Sequence, residues 1–288
     1  MSRRGVIVVL VVVLAAAAGG LVAWLQDSSG GTAAPTTPAT VTAAPTPVTL
    51  RIIFPEGFTR REMIDRVAAV RLIAVRKKHV VPRLTAAGYR ATTARALPPI
   101  GFRKDAKGNI EGFLFPATYE FTPQTPSRQL VAEQLETFRE RFARVNLRFA
   151  RSKNLTPYDV LIIASMIEKE AVVPAERSLI AAVIYNRLHA RMPLGIDATI
   201  RYGLDIPGTK SLTKVALASP SPYNTRRFPG LPPTPISNPG LASIRAAAHP
   251  ARVDYLYFVR KPDKRHHFFT ASENEFLRKV CEYGFGCR

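Results

Sequence analysis

The sequence predicts an α+β protein that follows an N-terminal transmembrane helix. An apolar run without charge opens the chain, and a strand with a tight turn and a capped helix comes near residue 50. Helical patterns then dominate from Ser127 to Ala248, before a final pair of short strands. Strands segregated from a block of helices are typical of the α+β class. Of the 288 residues, roughly 240 remain for the folded part, enough for one large domain or two moderate ones.

The first segment is an apolar run from Gly5 to Leu25. It is about long enough to cross a bilayer as a helix. Arg3 and Arg4 precede it and no Lys or Arg follows before Arg51, so the positive-inside bias places the remainder of the chain outside the cytoplasm. A cleaved signal peptide is the alternative, although its apolar region is usually shorter. We therefore expect residues 1–25 to form a single-pass anchor in the cell membrane.

Residues 26–47 are rich in Thr, Pro and Ala and contain one charged residue, Asp27. Such a segment cannot bury a core, and we expect a disordered or polyproline-like tether.

The formal net charge of +20 indicates an anionic partner. Outside a membrane such partners are lipid head groups, wall polymers or acidic glycans, and the predicted export argues against nucleic acid. The only two cysteines, Cys281 and Cys287, exclude a Cys-based metal site and leave open a local disulfide or two free thiols. We expect no metal and no cofactor.

The folded part begins with a small α+β unit, which we place at residues 48–125. Val48–Phe54 alternates and is β-branched, which predicts a strand. Thr59 and Glu62 form a capping-box pattern that opens a helix. No element can be placed between Arg76 and Asn109.

The segment Gly112–Phe121 is dense in aromatic residues. We expect it to be a buried junction between units, with a sugar-stacking surface as the alternative.

Residues 126–288 are predicted to be mostly helical with a small β element. The predicted elements are helices over Ser127–Phe149, from Thr156 to Glu170, from Pro174 and over Leu241–Ala248, loops over Met192–Leu204 and Ser219–Gly240, and strands at Asp254–Val259 and His266–Phe269. The helix after Thr156 has the clearest start, because an N-cap hydroxyl precedes a proline at the first helical position.

Glu170 is the candidate catalytic residue. At about 100° per residue, Ile162, Ile163, Met166 and Ile167 share one helix face, and Glu170 falls in its middle. Glu168 falls on nearly the opposite side. A carboxyl group held against apolar side chains loses water, which raises its pKa and lets it serve as a general acid near neutral pH. The alternative is a helix-end glutamate that points into solvent.

Several motifs occur in an order that resembles the MltG-type endolytic murein transglycosylases, also called the YceG-like family. The strongest part of the resemblance runs from Glu111 onward. The motifs are Glu111–Pro116, Thr118–Tyr119, Ala164–Ala171, Tyr185–Leu188, Met192–Leu194, Asp197–Ile200, Tyr202–Gly203, Ser221–Thr225, Gly230–Pro233, Pro235–Ile236, Asn238–Gly240 and Tyr257–Val259.

The resemblance implies a membrane-anchored protein with a LysM-like unit (residues 48–125) followed by a lysozyme-like catalytic region (126–288). It implies cleavage of the β-1,4 bond between N-acetylmuramic acid and N-acetylglucosamine in nascent glycan strands, with a 1,6-anhydro product end. Glu170 matches the family's catalytic glutamate. The sequence departs from the usual pattern at Ala117, at Gly195–Ile196 and at Arg265–His267. The implied partners are peptidoglycan strands and cell-wall synthases.

Five further residues are candidates for substrate binding: Asn186, Asp197, Tyr223, Asn224 and, more weakly, Glu168, which suits a structural charge better. Loop scaffolding is the alternative role for the first four. Two other functions stay open. One is a muramidase that uses water with Asp197 as second carboxylate, and the other is a non-catalytic wall-binding scaffold.

Overall fold

The computed structural model describes residues 48–286. The predicted anchor and tether, and Cys287, lie outside the described residues. Among residues 48–286, none of the helices combines the length and the apolar character that a membrane span needs.

The described part of the chain begins with a strand, and this strand pairs with a second one near residue 120. Strand β1 (Leu50–Ile53) pairs antiparallel with β2 (Thr118–Phe121), with Leu50 opposite Phe121. Between them lie α1 (Arg60–Lys78), α2 (Ala86–Arg95) and α3 (Arg103–Ala106), which a 3₁₀ turn precedes.

Helices dominate the remainder. They are α4 (Ser127–Ala143), α5 (Arg148–Ser152), α6 (Pro157–Glu170), α7 (Arg177–His189), α8 (Asp197–Gly203), α9 (Lys214–Leu217), α10 (Leu241–Ala248) and α11 (Glu273–Glu282). A second antiparallel pair, β3 (Tyr257–Arg260) and β4 (His267–Thr270), precedes α11.

The central element is α6, which ends at Glu170. Its start is fixed by the predicted cap: the Thr156 hydroxyl accepts from the backbone N–H of Asp159 at 3.1 Å, and the Asp159 carboxylate accepts from the backbone N–H of Thr156 at 2.8 Å. Every residue from Val160 to Ile167 is buried, because α7, α8 and α10 pack around the helix. A helix that is apolar on all sides is an interior helix.

Most predicted elements are confirmed, including the strand, turn and capped helix at the start and the strand pair near the end. The predicted loop Met192–Leu204 is wrong in part, because α8 lies within it. The helix has seven residues and no side-chain cap, so it gives little periodicity to detect. The segment Arg76–Asn109 contains α2 and α3, and α9 and α11 were not predicted.

The aromatic side chains of Gly112–Phe121 are buried, as expected for a packed segment, while its role as a junction between units stays a prediction. Phe113 and Leu114 are fully buried, and the ring of Phe113 lies edge-on to that of Phe138 in α4 at 5.0 Å between centroids. Gly112 has φ +92°, and a Cβ there would lie 2.7 Å from the Pro235 side chain. The segment therefore packs directly against the later proline-rich loop, with no room for a side chain at Gly112.

One hydrophobic cluster runs without a break from Leu50 to Ala248. Asn238, fully buried in the proline-rich loop, joins its first and last parts. The Asn238 amide oxygen accepts from the N–H groups of Gly112 and Leu114, both at 2.9 Å. The Asn238 amide nitrogen donates to the Phe58 carbonyl at 2.9 Å and to the Glu111 carboxylate at 2.7 Å. The division into units at 125/126 stays a prediction, and the core continues across it.

Candidate active site

Glu170 is the last residue of α6, and its side chain is half-buried where the helix reaches the surface. Burial is the largest influence on this carboxyl group and raises its pKa to about 7. The charge of Arg260 acts in the opposite direction, Asp197 raises the pKa further, and Arg226 and Arg201 lower it. A carboxyl group with this pKa exchanges its proton near neutral pH, which is what a general acid and base requires.

The four charges around Glu170 come from three separate segments. Asp197 and Arg201 lie on α8, Arg226 lies in the proline-rich loop, and Arg260 ends β3. Asp197 Oδ1 accepts from Arg226 Nε at 2.6 Å, and both side chains are 44% exposed. Asp197 therefore influences Glu170 electrostatically while its own charge is balanced by Arg226, and its predicted substrate-binding role stays a prediction.

A buried hydrogen-bonded pair, His267 and Glu176, holds the hairpin that carries Arg260. Arg260 lies opposite His267 in the β3–β4 register. His267 Nδ1 lies 2.8 Å from Glu176 Oε2, and Glu176 Oε1 accepts from the backbone N–H of His267 at 2.9 Å. Glu176 follows α6 by six residues, so this contact ties the hairpin to the segment directly after Glu170. The sequence prediction missed this pair, because the partners are 91 residues apart.

Tyr223 lies on the surface side of the proline-rich loop and is half-buried. Its hydroxyl is 2.8 Å from the Thr234 hydroxyl, and its ring packs on that of Tyr202 at 5.2 Å between centroids. An aromatic face of this kind can contact a sugar ring, so the substrate-binding role of Tyr223 stays a prediction that its position permits.

The side-chain amides of Asn224 and Asn186 are hydrogen-bonded to backbone carbonyl groups of the protein. Asn224 is fully buried, and its amide nitrogen donates to the carbonyls of Leu217 and Ser219. The Asn186 amide nitrogen donates to the carbonyls of Val253 and Tyr255, each at 2.9 Å. Their positions give no support to the predicted substrate contacts and fit the alternative of loop scaffolding.

Glu168 also makes structural contacts within the protein. Its side chain is 6% exposed, and its carboxylate lies 3.8 Å from Arg177 Nη2 and accepts from the Gly240 N–H at 2.9 Å. The predicted contrast between two helix faces is wrong, because the side of α6 that carries Glu168 is as buried as the side that carries Glu170. These partners nevertheless agree with the structural role that suited Glu168 best.

Glu111 is a second carboxyl group with a perturbed pKa, and the sequence prediction did not single it out. Burial raises its pKa to about 7, against hydrogen bonds that lower it. Its oxygens accept from the Arg60 N–H at 2.9 Å, from Asn238 at 2.7 Å and from the Tyr202 hydroxyl at 3.2 Å. With 5% of the residue exposed, Glu111 joins α1, α8 and the proline-rich loop. The sequence signal that could have identified Glu111 is its place at the start of the Glu111–Pro116 motif.

No cluster of three or more His, Cys, Asp or Glu side chains suited to a metal ion occurs within residues 48–286. A surface cavity of about 540 Å³ lies between residues 97–103 and α4, and its lining does not include Glu170.

A half-buried carboxyl group of raised pKa at the end of an interior helix is suited to general acid–base chemistry. The model of the YceG-like family matches residues 33–282, and the chain belongs to this family.

The chain is also similar to individual proteins. It is 39% identical over 161 residues to the endolytic murein transglycosylase of Bacillus subtilis, which covers 56% of this chain and 44% of the relative. It is 35% identical over 182 residues to that of Streptococcus pneumoniae, which covers 62% and 33%. The chain thus spans less than half the length of these curated relatives. A crystal structure of a yceG-like protein from Listeria monocytogenes superposes with a TM-score of 0.65 at 30% identity, over 79% of this chain and 75% of that one.

Proposed function

We propose that the protein is an endolytic peptidoglycan transglycosylase that cleaves the β-1,4 bond between N-acetylmuramic acid and N-acetylglucosamine. The observation that carries the proposal is the combination of Glu170, whose pKa is raised to about 7, with Asp197, which is tied to Arg226. Most glycosidases use two carboxyl groups. Here the Glu170 carboxyl group is available for proton transfer and the Asp197 carboxylate is engaged by Arg226, which favours a reaction that needs a single acid–base residue.

In the proposed reaction Glu170 protonates the glycosidic oxygen that leaves. An oxocarbenium-like centre develops at C1 of the muramic acid, and the Glu170 carboxylate then takes the proton from the C6 hydroxyl of the same sugar. That hydroxyl attacks C1 and closes the 1,6-anhydro ring. The nucleophile belongs to the substrate, so the reaction gains from proximity and holds no water for attack.

We propose that Tyr223 and Asp197 line the substrate cleft. In finer terms, we propose a LysM-like unit at residues 48–125 and a lysozyme-like catalytic region at 126–288. The proposed substrate is the nascent strand, and cell-wall synthases are the proposed partners that supply it.

Product analysis tests the reaction. Purified full-length protein is incubated with peptidoglycan strands, and the fragments are identified by mass spectrometry. Fragments with 1,6-anhydro ends are expected. Reducing ends would instead support the water-using muramidase with Asp197 as second carboxylate. Binding of strands without any cleavage would support the wall-binding scaffold.

The pH dependence of kcat/KM should report the proton on Glu170. We expect kcat/KM to fall roughly tenfold per pH unit above about pH 7, because the free enzyme then loses the proton that the leaving oxygen needs. The profile is measured on purified strands between pH 5 and 9. A profile that stays flat to pH 9 would contradict Glu170 as the acid.

We also propose that the folded part lies outside the cytoplasm, anchored by residues 5–25. The support is the charge-free run after Arg3 and Arg4. Protease added to intact spheroplasts is expected to digest the folded part, and a cytoplasmic protein serves as the protected control. Survival of the folded part under these conditions would refute this orientation.

A further inference from the structure

The segment that joins α2 to α3, residues 96–102, presents two large apolar side chains to solvent. Leu97 is 59% exposed and Ile100 is 82% exposed. Both line the surface cavity of about 540 Å³ between this segment and α4. The segment is fixed from below, because Phe102 is buried and its ring lies edge-on to that of Phe113 at 5.1 Å between centroids. Leu97 and Ile100 therefore project from a packed part of the protein.

The backbone of this segment has already satisfied most of its polar groups. Pro98 and Pro99 have no N–H group to leave unpaired. The Pro98 carbonyl accepts from Arg103 Nε at 3.2 Å, and the Pro99 carbonyl accepts from the Phe102 N–H at 2.8 Å. The Ile100 carbonyl accepts from the Arg103 N–H. Unpaired backbone groups are costly in an apolar medium, so this segment can enter such a medium at low cost.

Positive charge surrounds the two apolar side chains. A second cavity, of about 410 Å³, adjoins the first and shares Phe102 and Phe142 with it. The charged residues that line the two cavities are four arginines and one glutamate: Arg103, Arg139, Arg148, Arg151 and Glu136. All five are exposed, and Glu136 is paired with Arg139. The formal charge of this surface is therefore +3, which favours an occupant that carries negative charge.

We propose that this surface docks the folded part onto an anionic lipid bilayer, with Leu97 and Ile100 in the interface and the four arginines at the lipid phosphates. Apolar side chains flanked by arginines are typical of proteins that lie on a membrane surface. This inference goes beyond the proposed function and does not depend on the chemistry at Glu170.

A bilayer suits this surface better than the other anionic partners do. Wall polymers and acidic glycans offer charge but no apolar phase for Leu97 and Ile100. A protein partner would use hydrogen bonds, whereas the carbonyls of residues 98–100 already accept bonds within the segment. With residues 5–25 as the proposed anchor, residues 26–47 span at most roughly 70–80 Å. The bilayer would then always be within reach, at a high effective concentration.

Fluorescence quenching by brominated lipids tests the docking. Full-length protein with Ile100→Trp is reconstituted in nanodiscs of phosphatidylcholine, alone or with an equal part of phosphatidylglycerol. Bromine on the acyl chains quenches a tryptophan that enters the hydrocarbon, and the signal of Trp24, the one native tryptophan, is subtracted with wild-type protein in the same discs. The Ile100→Trp protein is expected to lose most of its added fluorescence in brominated anionic discs.

Val215→Trp is the matched control. Val215 is also 82% exposed, but it lies on α9 and does not line either cavity. Its added fluorescence should be the same in brominated and unbrominated discs. Because both variants carry the same new side chain, any general affinity of tryptophan for lipid acts on both alike.

The charge requirement is tested in the Ile100→Trp protein. Replacing Arg148 and Arg151 by Gln should restore part of the fluorescence in anionic discs. All of these side chains are exposed, so the melting temperatures should equal that of the wild type. Equal quenching at positions 100 and 215, or equal quenching of Ile100→Trp in anionic and zwitterionic discs, would overturn the proposal. An absence of quenching in anionic discs would also overturn it and would leave this surface to a protein partner.

Discussion

Glu170→Gln is expected to abolish strand cleavage while the fold and strand binding persist. The amide keeps the shape of the side chain but can neither donate a proton to the leaving oxygen nor take one from the C6 hydroxyl. General acid–base catalysis is typically worth about 10²- to 10⁴-fold, and the loss of both roles should fall at the upper end. The measurement is the rate of release of anhydro-ended fragments, with strand binding followed in parallel.

Glu168→Gln is the matched control, two residues away on the same helix. Its carboxylate contacts Arg177 and the Gly240 N–H, so we expect lower thermal stability with much of the activity retained. An inactive Glu168→Gln protein beside an active Glu170→Gln protein would reverse the assignment of the acid.

Asn238→Ala is expected to cause the largest loss of stability. It removes three buried hydrogen bonds and one partly buried one, and leaves the Gly112 and Leu114 N–H groups, the Phe58 carbonyl and Glu111 each with one partner fewer. Unsatisfied buried groups cost about 1–3 kcal/mol each, and partial relaxation brings the expected total to about 3–5 kcal/mol. For a domain of this size the melting temperature should fall by roughly 10 °C, as measured by circular dichroism.

Asn274→Ala provides the control, because Asn274 is exposed on α11. Surface substitutions of this kind usually stay within about 0.5 kcal/mol. Equal melting temperatures for the two alanine variants would show that Asn238 does not hold the fold together.

Local signals explain what could be predicted from the sequence. The cap at Thr156 and Pro157 is complete within four residues, and the structure places the start of α6 there. The raised pKa of Glu170 was also expected, since the helix that carries it is apolar. The predicted difference between the helix face of Glu170 and that of Glu168 was wrong for a physical reason. Periodicity separates two faces of a helix only when one of them meets solvent, and α6 is buried on both.

Contacts between distant segments could not be predicted. Asn238 lies 126 residues from Gly112, and nothing near Asn238 in the sequence indicates that its amide closes the core. The chain has 41 Lys and Arg residues, and only the folding of α8, the proline-rich loop and β3 decides that the charges of Arg201, Arg226 and Arg260 act on Glu170. The same limit applies to Asn186 and Asn224, whose backbone partners appear only in the structure.

The buried network around Asn238 bears on how such a protein can change over evolutionary time. The turn after β1 contacts the end of α6, where Lys169 Nζ donates to the Gly57 carbonyl at 3.2 Å and the Gly57 N–H donates to the Asn238 carbonyl at 2.9 Å. A chimaera that took residues 48–125 from one relative and the remainder from another would have to match this interior network as well as the chain connection. Substitutions on either side of residue 125 therefore constrain those on the other, and the two parts are expected to be inherited and exchanged as one unit.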